Sequence, residues 1–205
     1  MLALIGEVNG LQVLDAGCGP GFYVEALVAR GASVVAVDAS RRMLDLARRR
    51  LGSAMELLRT DLNDPLPFVD ESFDLVVCPL VIHNVNDRTA TLREFFRILR
   101  PSGRVVLSTQ HPTNDWLRKG GSYFEIREEE DVWGLYGEAQ RVRFWREPLT
   151  AFCASVADAG FLIERLVEPL PEESMRENWP DDWERLRREP GFLLLRLLKP
   201  GVQMQ

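Results

Sequence analysis

The sequence predicts an α/β fold in which helices cover both faces of one mostly parallel, seven-stranded sheet. Short, apolar, β-branched runs alternate with stretches whose apolar residues recur at helical spacing. Gly, Pro, Asp and Ser stand between the runs, and these residues commonly end strands or begin helices. Such an alternation is typical of a doubly wound sheet. The 205 residues suffice for one domain with a sizeable core, so residues 1–205 are interpreted as a single domain.

The seven apolar runs are predicted to be the strands, at residues 12–15, 33–38, 56–59, 73–78, 104–109, 161–167 and 192–197. The fourth run is apolar throughout, which favours a central position because such a strand is covered on both faces.

The helices follow from apolar periodicity and from end signals. They are predicted at 21–30, after Ser40, before the turn 101–103 and at 149–160. After Ser40, a suitable N-cap, one face carries Leu44, Ala47 and Leu51. The helix before the turn has an i, i+3, i+4, i+7 stripe made of Leu92, Phe95, Phe96 and Leu99.

Residues 111–147 interrupt the alternation and are predicted to form an insertion that acts as a substrate lid. Its aromatic residues make a planar or apolar substrate plausible, and packing within the lid is the alternative: Trp116, Tyr123, Phe124, Trp133, Tyr136, Phe144 and Trp145. The acidic run 128–131 is interpreted as a solvated face, with recognition of a cationic amine as the less favoured alternative. A second surface flap is predicted between the last two strands, where Trp179 and Trp183 lie.

Composition limits the class of partner. The net charge of −6 argues against a nucleic-acid partner, because phosphate binding usually needs a basic surface. Three cysteines without paired spacing indicate a reducing compartment and no metal site. No apolar run is long enough for a membrane span, and no signal peptide is visible. We therefore expect a cytoplasmic monomer or homodimer that acts on a small molecule.

A glycine-rich loop follows the first predicted strand. Residues 13–21 read Val-Leu-Asp-Ala-Gly-Cys-Gly-Pro-Gly, so Gly17, Gly19 and Gly21 alternate. Glycines let the backbone turn sharply and approach a ligand closely. The G-x-G-x-G spacing differs from the G-x-G-x-x-G of dinucleotide sites, which favours a nucleoside bound without a diphosphate.

Asp38 ends the second predicted strand, the position at which such folds bind ribose hydroxyls through an acidic side chain. A helix cap is the structural alternative for this residue. Asp38 together with the glycine loop favours a site for a nucleotide-like cofactor.

These motifs resemble those of the class I S-adenosylmethionine-dependent methyltransferases, in the group that contains the ubiquinone- and menaquinone-pathway methylases. The resemblance is close over residues 10–110 and looser over the last two strands. It implies a Rossmann-like fold and S-adenosyl-L-methionine as the cofactor. The implied cofactor contacts are Asp15, Gly17, Cys18, Gly19, Gly21, Tyr23, Asp38, Ala39, Met43, Asp61, Leu62, Cys78 and Pro79.

The resemblance also implies roles for these residues. The glycine loop would lie under the methionine part of the cofactor, Asp38 would hold the ribose hydroxyls, and Asp61 would accept from the adenine amine. The backbone of 78–83 would contact the cofactor's amino group. Tyr23 is a contact to the cofactor carboxylate or a packing residue. Ser102 departs from the family pattern, since Gly is commoner there.

His83 and His111 are the candidate catalytic residues, because they follow the fourth and fifth strands at the edge where ligands bind. Either could be a general base for a hydroxyl acceptor, and either could instead be a packing residue. The expected function is in-line methyl transfer to an O, N or C nucleophile of a small molecule. A non-catalytic S-adenosylmethionine-binding or scaffold protein is the alternative, and a nicotinamide oxidoreductase is disfavoured by the glycine spacing.

The segment before the first strand is short for this resemblance. Residues 2–6 look like the tail of a helix, so we expect either a truncated chain or a more open site with slow turnover.

Overall fold

The computed structural model describes residues 1–53, 55–135 and 138–201. Tyr136 and the side chain of Trp133, two of the predicted lid aromatics, lie outside the described residues. Within this part of the chain, no helix is long and apolar enough to cross a membrane.

The predicted α/β fold is confirmed: one sheet of seven strands has the order β3-β2-β1-β4-β5-β9-β8. Its strands are β1 (Gln12–Ala16), β2 (Ser33–Asp38), β3 (Glu56–Arg59), β4 (Phe73–Pro79), β5 (Leu99–Gln110), β8 (Leu162–Val167) and β9 (Phe192–Leu198). The first five strands are parallel, and β9 is antiparallel to both of its neighbours. Strands β6 (Arg127–Leu135) and β7 (Glu138–Arg146) form a separate antiparallel hairpin.

Helices cover both faces of the sheet, as the sequence predicts. They are α1 (Leu2–Ile5), α2 (Phe22–Val28), α3 (Arg41–Leu51), α4 (Arg88–Ile98), α5 (Pro112–Lys119), α6 (Leu149–Asp158), α7 (Met175–Asn178) and α8 (Pro180–Leu186). A 3₁₀ turn, Ile82–Asn84, follows β4. One apolar cluster joins β1 and β4 to α4 and α6, and a second joins the other face to α1, α2 and α3.

Polar caps begin α3 and α4. The Ser40 hydroxyl accepts from the Met43 amide at 3.4 Å, which confirms the predicted cap of α3. Asp87 caps α4 by accepting from the Ala90 amide at 2.9 Å. The predicted apolar stripe of α4 packs into the core, with Phe95 fully buried.

The insertion 111–147 contains more regular structure than its sequence suggests, because it folds into α5 and the β6–β7 hairpin. The interpretation of residues 128–131 as a solvated face holds only in part. Glu129 and Asp131 lie near Lys119, whose Nζ is 3.5 Å and 2.7 Å from their carboxylates, and their side chains are mostly buried. Glu130 pairs with Arg141 at 2.8 Å and is more exposed. These carboxylates are thus neutralised within the insertion.

The predicted turn at 101–103 is a distortion within β5. The pairing of β4 with β5 shifts register between Phe73 and Leu75, and Ser102 has a φ of 66°. The Ser102 amide donates to the Lys199 carbonyl at 3.1 Å, which fixes this left-handed backbone. A residue with a Cβ is strained there, which explains why Gly is commoner in the family pattern.

Ser102→Gly should therefore raise the free energy of unfolding by about 0.5–1 kcal/mol, because relief of the left-handed strain exceeds the entropic cost of glycine. Urea denaturation measures the change. Ser53→Gly is the matched control, since Ser53 is an exposed serine outside the left-handed region and glycine should be neutral or destabilising there. Equal effects of the two substitutions would show that Ser102 is not strained.

Candidate active site

Four strands bring the predicted site residues to one edge of the sheet. The strands β1, β2, β4 and β5 run parallel, so their carboxyl ends meet there. The glycine loop, Asp38, the segment after Cys78 and His111 all stand at this edge. Ligands of doubly wound sheets bind outside these carboxyl ends.

The glycine loop is attached to the end of β2. The amides of Gly17 and Cys18 donate to the Val37 carbonyl at 2.8 Å and 2.9 Å. Gly17 has a φ of 79°, and a Cβ added there would overlap the Val81 side chain. Gly19 has a φ of 52°, but nothing lies within 4 Å of its Cβ position. Gly17 therefore serves packing, whereas Gly19 leaves open space where a ligand can approach the backbone.

Asp38 closes the other side of the loop. Its Oδ2 accepts from the Gly19 amide at 2.9 Å, and its Oδ1 accepts from the Ser40 amide at 2.8 Å. Burial raises the pKa of Asp38, although these two amides oppose the shift. Each carboxylate oxygen has a second lone pair, so Asp38 can still accept from two ligand hydroxyls. Asp38 thus has both roles weighed from the sequence, since it also orders the start of the next helix.

Asp15 is the most unusual group at this edge. Its side chain is fully buried, and neither carboxylate oxygen has a hydrogen bond of standard geometry among the described residues. Burial, and then the charge of Asp38, raise the pKa of Asp15 to about 7, and the backbone amide of Val24 opposes the shift. A buried carboxyl group without a partner is costly. A ligand that brings a positive charge or donors to this edge would compensate it.

The remaining predicted cofactor residues differ in exposure. Asp61 is exposed, and its Oδ1 accepts from the amide and the side chain of Asn63 at 2.9 Å and 2.8 Å. The Leu62 side chain is buried, as is that of Cys78, so these two residues can offer only backbone atoms to a ligand. Cys18 is buried, Ala39 is exposed, and three residues are half-buried: Tyr23, Met43 and Pro79.

His83 lies in the 3₁₀ turn and is buried. Its Nδ1 is 3.2 Å from the Thr109 hydroxyl. Burial lowers the pKa of His83 to about 4, and the neighbouring Arg88 adds to the effect. His83 lines a small polar cavity of about 10 Å³, together with the ion pair of Arg88 and Glu147. This volume holds about one water molecule, too little for an acceptor.

His111 caps α5. Its Nδ1 lies 3.2 Å from the amide of Thr113 and 2.7 Å from the hydroxyl of the same residue. Its Nε2 lies 3.0 Å from the carboxylate of Glu168. Burial lowers the pKa of His111, and Glu168 opposes the shift. Both ring nitrogens thus have polar neighbours. One of these contacts would have to break before a ring nitrogen of His111 could take a proton from a substrate.

A larger cavity at the same edge was not predicted from the sequence. It has a volume of about 280 Å³ and opens between the ends of β4 and β5 and the segment 169–194; we call it the Leu80 cavity. Its lining includes Leu80, Ser108, Leu170, Met175, Phe192 and Leu194. The Pro-rich composition before β9 predicted only a surface flap, because nothing local indicates which strand ends it covers.

Comparison with known proteins shows a similarity to methyltransferases. A sequence model described as a methyltransferase domain matches residues 14–107, which hold the glycine loop and Asp38. The crystal structure of an S-adenosylmethionine-dependent methyltransferase from Mesorhizobium loti superposes with a TM-score of 0.74 at 27% identity, over 96% of this chain and 94% of that one. By fold and by motif, this chain is similar to the class I S-adenosylmethionine-dependent methyltransferases.

Curated methyltransferases are similar over part of their length. The demethylmenaquinone methyltransferase of Clavibacter sepedonicus is 41% identical over 105 residues, which are 50% of this chain and 42% of that protein. The malonyl-[acyl-carrier protein] O-methyltransferase of Serratia marcescens is 39% identical over 109 residues, 53% of this chain and 42% of that protein. The matched region thus spans less than half of either relative and contains the cofactor motifs of the class I methyltransferases.

The buried Asp15 predicts a specific pH dependence of stability. A carboxyl group whose pKa is raised on folding destabilises the native state as pH rises from about 4 to about 7, because the unfolded chain loses the proton first. Without ligand, Asp15→Asn should match the wild type near pH 4 and exceed its free energy of unfolding by up to about 4 kcal/mol at pH 8.

Urea denaturation at the two pH values tests this prediction. Asp45→Asn, at an exposed position on α3, is the control and should leave the pH dependence unchanged. If Asp15→Asn and the wild type have the same free energy of unfolding at both pH values, ionisation of this carboxyl group in the native state costs little.

Proposed function

We propose that this protein transfers a methyl group from S-adenosylmethionine to an O, N or C nucleophile of a small molecule by in-line displacement. The arrangement at the carboxyl ends of β1 and β2 carries the proposal. There Gly19 leaves open space, Asp38 retains acceptor capacity and Asp15 is a buried carboxyl group without a partner. The curated relatives are named for two different acceptors, so they do not fix the substrate.

The residues present fit the cofactor. Asp38 can accept from both ribose hydroxyls, and the open side of Gly19 lets the methionine part approach the backbone. Asp15 can balance the positive charge that the cofactor carries on its amino and sulfonium groups. Asp61 is exposed and already oriented by Asn63, which suits acceptance from the adenine amine. Tyr23, Ala39, Met43 and the backbone of Pro79 would complete the contacts.

When bound, S-adenosylmethionine supplies an activated methyl group on a sulfonium. The chain's own residues then contribute orientation and exclusion of water. The segment after β4 stands against the glycine loop, since Val81 packs at Gly17. An acceptor held beside this segment would lie next to the glycine loop. We propose that the insertion 111–147 is a lid of the single domain, because its hairpin encloses the polar cavity through Trp145 and Glu147.

Location and association are further parts of the proposal. We infer a cytoplasmic protein, supported by three cysteines that are all free. A net charge of −6 supports the absence of a nucleic-acid partner. A monomer or homodimer stays our prediction for the oligomeric state.

Asp38→Ala should weaken binding of S-adenosylhomocysteine by about 1.5–3 kcal/mol, because charge-assisted hydrogen bonds to the ribose are lost. Isothermal titration calorimetry measures the dissociation constant. Asp45→Ala, an aspartate on α3 paired with Arg48, is the matched control and should bind like the wild type. An unchanged dissociation constant for Asp38→Ala would remove Asp38 from the cofactor site.

The histidines test whether a general base is needed. If one of them is the base, its replacement by Gln should lower kcat by about 10²–10⁴-fold and leave the affinity for S-adenosylhomocysteine unchanged. We expect the larger loss at His111, because its partner Glu168 adjoins the wall of the Leu80 cavity, whereas His83 lines the one-water cavity.

The assay couples donor consumption to mass-spectrometric detection of a one-methyl gain in a metabolite extract. Activity that survives both His83→Gln and His111→Gln would contradict the base assignment and indicate catalysis by orientation alone.

A further inference from the structure

We propose that the Leu80 cavity binds the methyl acceptor and that this acceptor is a small, largely apolar molecule. The inference rests on the proposed function and deepens it. It assigns acceptor recognition to the segment 169–194. The aromatic residues of the insertion 111–147 had instead suggested that the insertion contacts the acceptor.

The size of the Leu80 cavity restricts the acceptor. Its volume of about 280 Å³ lies at the lower end of the range for small-molecule sites, which is about 300–1,000 Å³. A single ring with a short substituent fits such a space.

The chemistry of the lining favours an apolar acceptor. Leu80, Leu170 and Met175 supply apolar surface, and so do Phe192 and Leu194 on β9. Among the described lining residues, Ser108 and Glu172 have the polar side chains, none is Lys or Arg, and Met1 also lines the cavity. A carboxylate or phosphate would thus lose its hydration against a mostly apolar wall, and Glu172 would repel it.

The residues after β4 connect one wall of the cavity to the glycine loop. Leu80 has a φ of 56°, a strained value for a leucine. Its amide donates to the Ser108 carbonyl at 3.0 Å and lies 3.2 Å from the Ser108 hydroxyl oxygen, and these contacts hold the strained backbone. The next residue, Val81, packs against Gly17. Strain retained at such a place is characteristic of functional sites.

Ser108 supplies the polar contact within the cavity. It is buried, and its hydroxyl oxygen accepts from the Leu80 amide. The hydroxyl hydrogen has no acceptor among the residues that the structure describes, so it can be donated to an oxygen or nitrogen of the acceptor. One hydrogen bond in an otherwise apolar cavity would orient a small molecule without charge recognition.

Binding of two matched probes tests the inference. 4-Propylphenol is apolar with one hydroxyl group, and 4-hydroxybenzoate has the same ring and hydroxyl with a carboxylate in place of the alkyl chain. We expect 4-propylphenol to bind the complex of the protein with S-adenosylhomocysteine at least about tenfold more tightly than 4-hydroxybenzoate, by ligand-observed NMR titration.

Leu80→Asn should weaken binding of 4-propylphenol by about tenfold or more, because it removes apolar contact. Asn tolerates the left-handed backbone, so the fold should persist. Leu117→Asn is the matched control, since Leu117 is 48% exposed, Leu80 is 44% exposed, and only Leu80 lines the cavity. Met175 also lines the cavity, so Met175→Gln should weaken the binding of 4-propylphenol in the same way.

The outcomes separate this inference from the proposed function. Failure of the wild type to bind S-adenosylhomocysteine would contradict the proposed function itself. Normal cofactor-product binding with no preference for 4-propylphenol, or with full affinity in Leu80→Asn, would overturn only the acceptor site. If Leu80→Asn also loses the binding of S-adenosylhomocysteine, the test rests on Met175→Gln. Unchanged binding of 4-propylphenol by Met175→Gln would then overturn the inference.

Discussion

The attachment of the glycine loop to the end of β2 is the constraint on which the site depends. Two loop amides share the Val37 carbonyl, and the carboxylate of Asp38 takes the Gly19 amide. These bonds place the loop across the carboxyl ends of β1 and β2, which leaves Asp15 enclosed near a second negative charge. The protein therefore holds one buried and one half-buried carboxyl group near each other before any ligand binds. A stable fold with such a feature is well suited to a cationic ligand, because binding removes a cost already present.

The regular part of the fold could be predicted closely from the sequence. The bounds of β2 and β3 agree with the structure, since β-branched or apolar runs there end at a charged residue or a turn. The hairpin β6–β7 was missed because its strands are polar and charged on both sides, so alternation is hidden. Cross-strand ion pairs such as Glu130 with Arg141 add a small stabilisation, and they exist only once the register is set.

The proposed cofactor and acceptor halves of the site also differ in how far the sequence predicts them. The proposed cofactor half lies in local motifs, so its residues could be named from the glycine-loop spacing together with the family resemblance. Its energetics could not, because the isolation of Asp15 depends on packing from several elements. The proposed acceptor half is assembled from Leu80, Ser108 and the segment before β9, which are far apart in the sequence. Likewise, the contact of His111 with Glu168 is invisible until β8 is placed.

The position of β9 has a consequence for how the chain acquires its structure. Strand β9 lies between β5 and β8 although it follows both in sequence. During synthesis, β8 emerges with apolar side chains such as Leu162 and Leu166 and has no strand beside it until β9 has left the ribosome. The parallel strands β1 to β5 can meanwhile assemble with their helices. Nascent chains of this protein should therefore pass through a stage with an open sheet margin, at which binding by chaperones competes with aggregation.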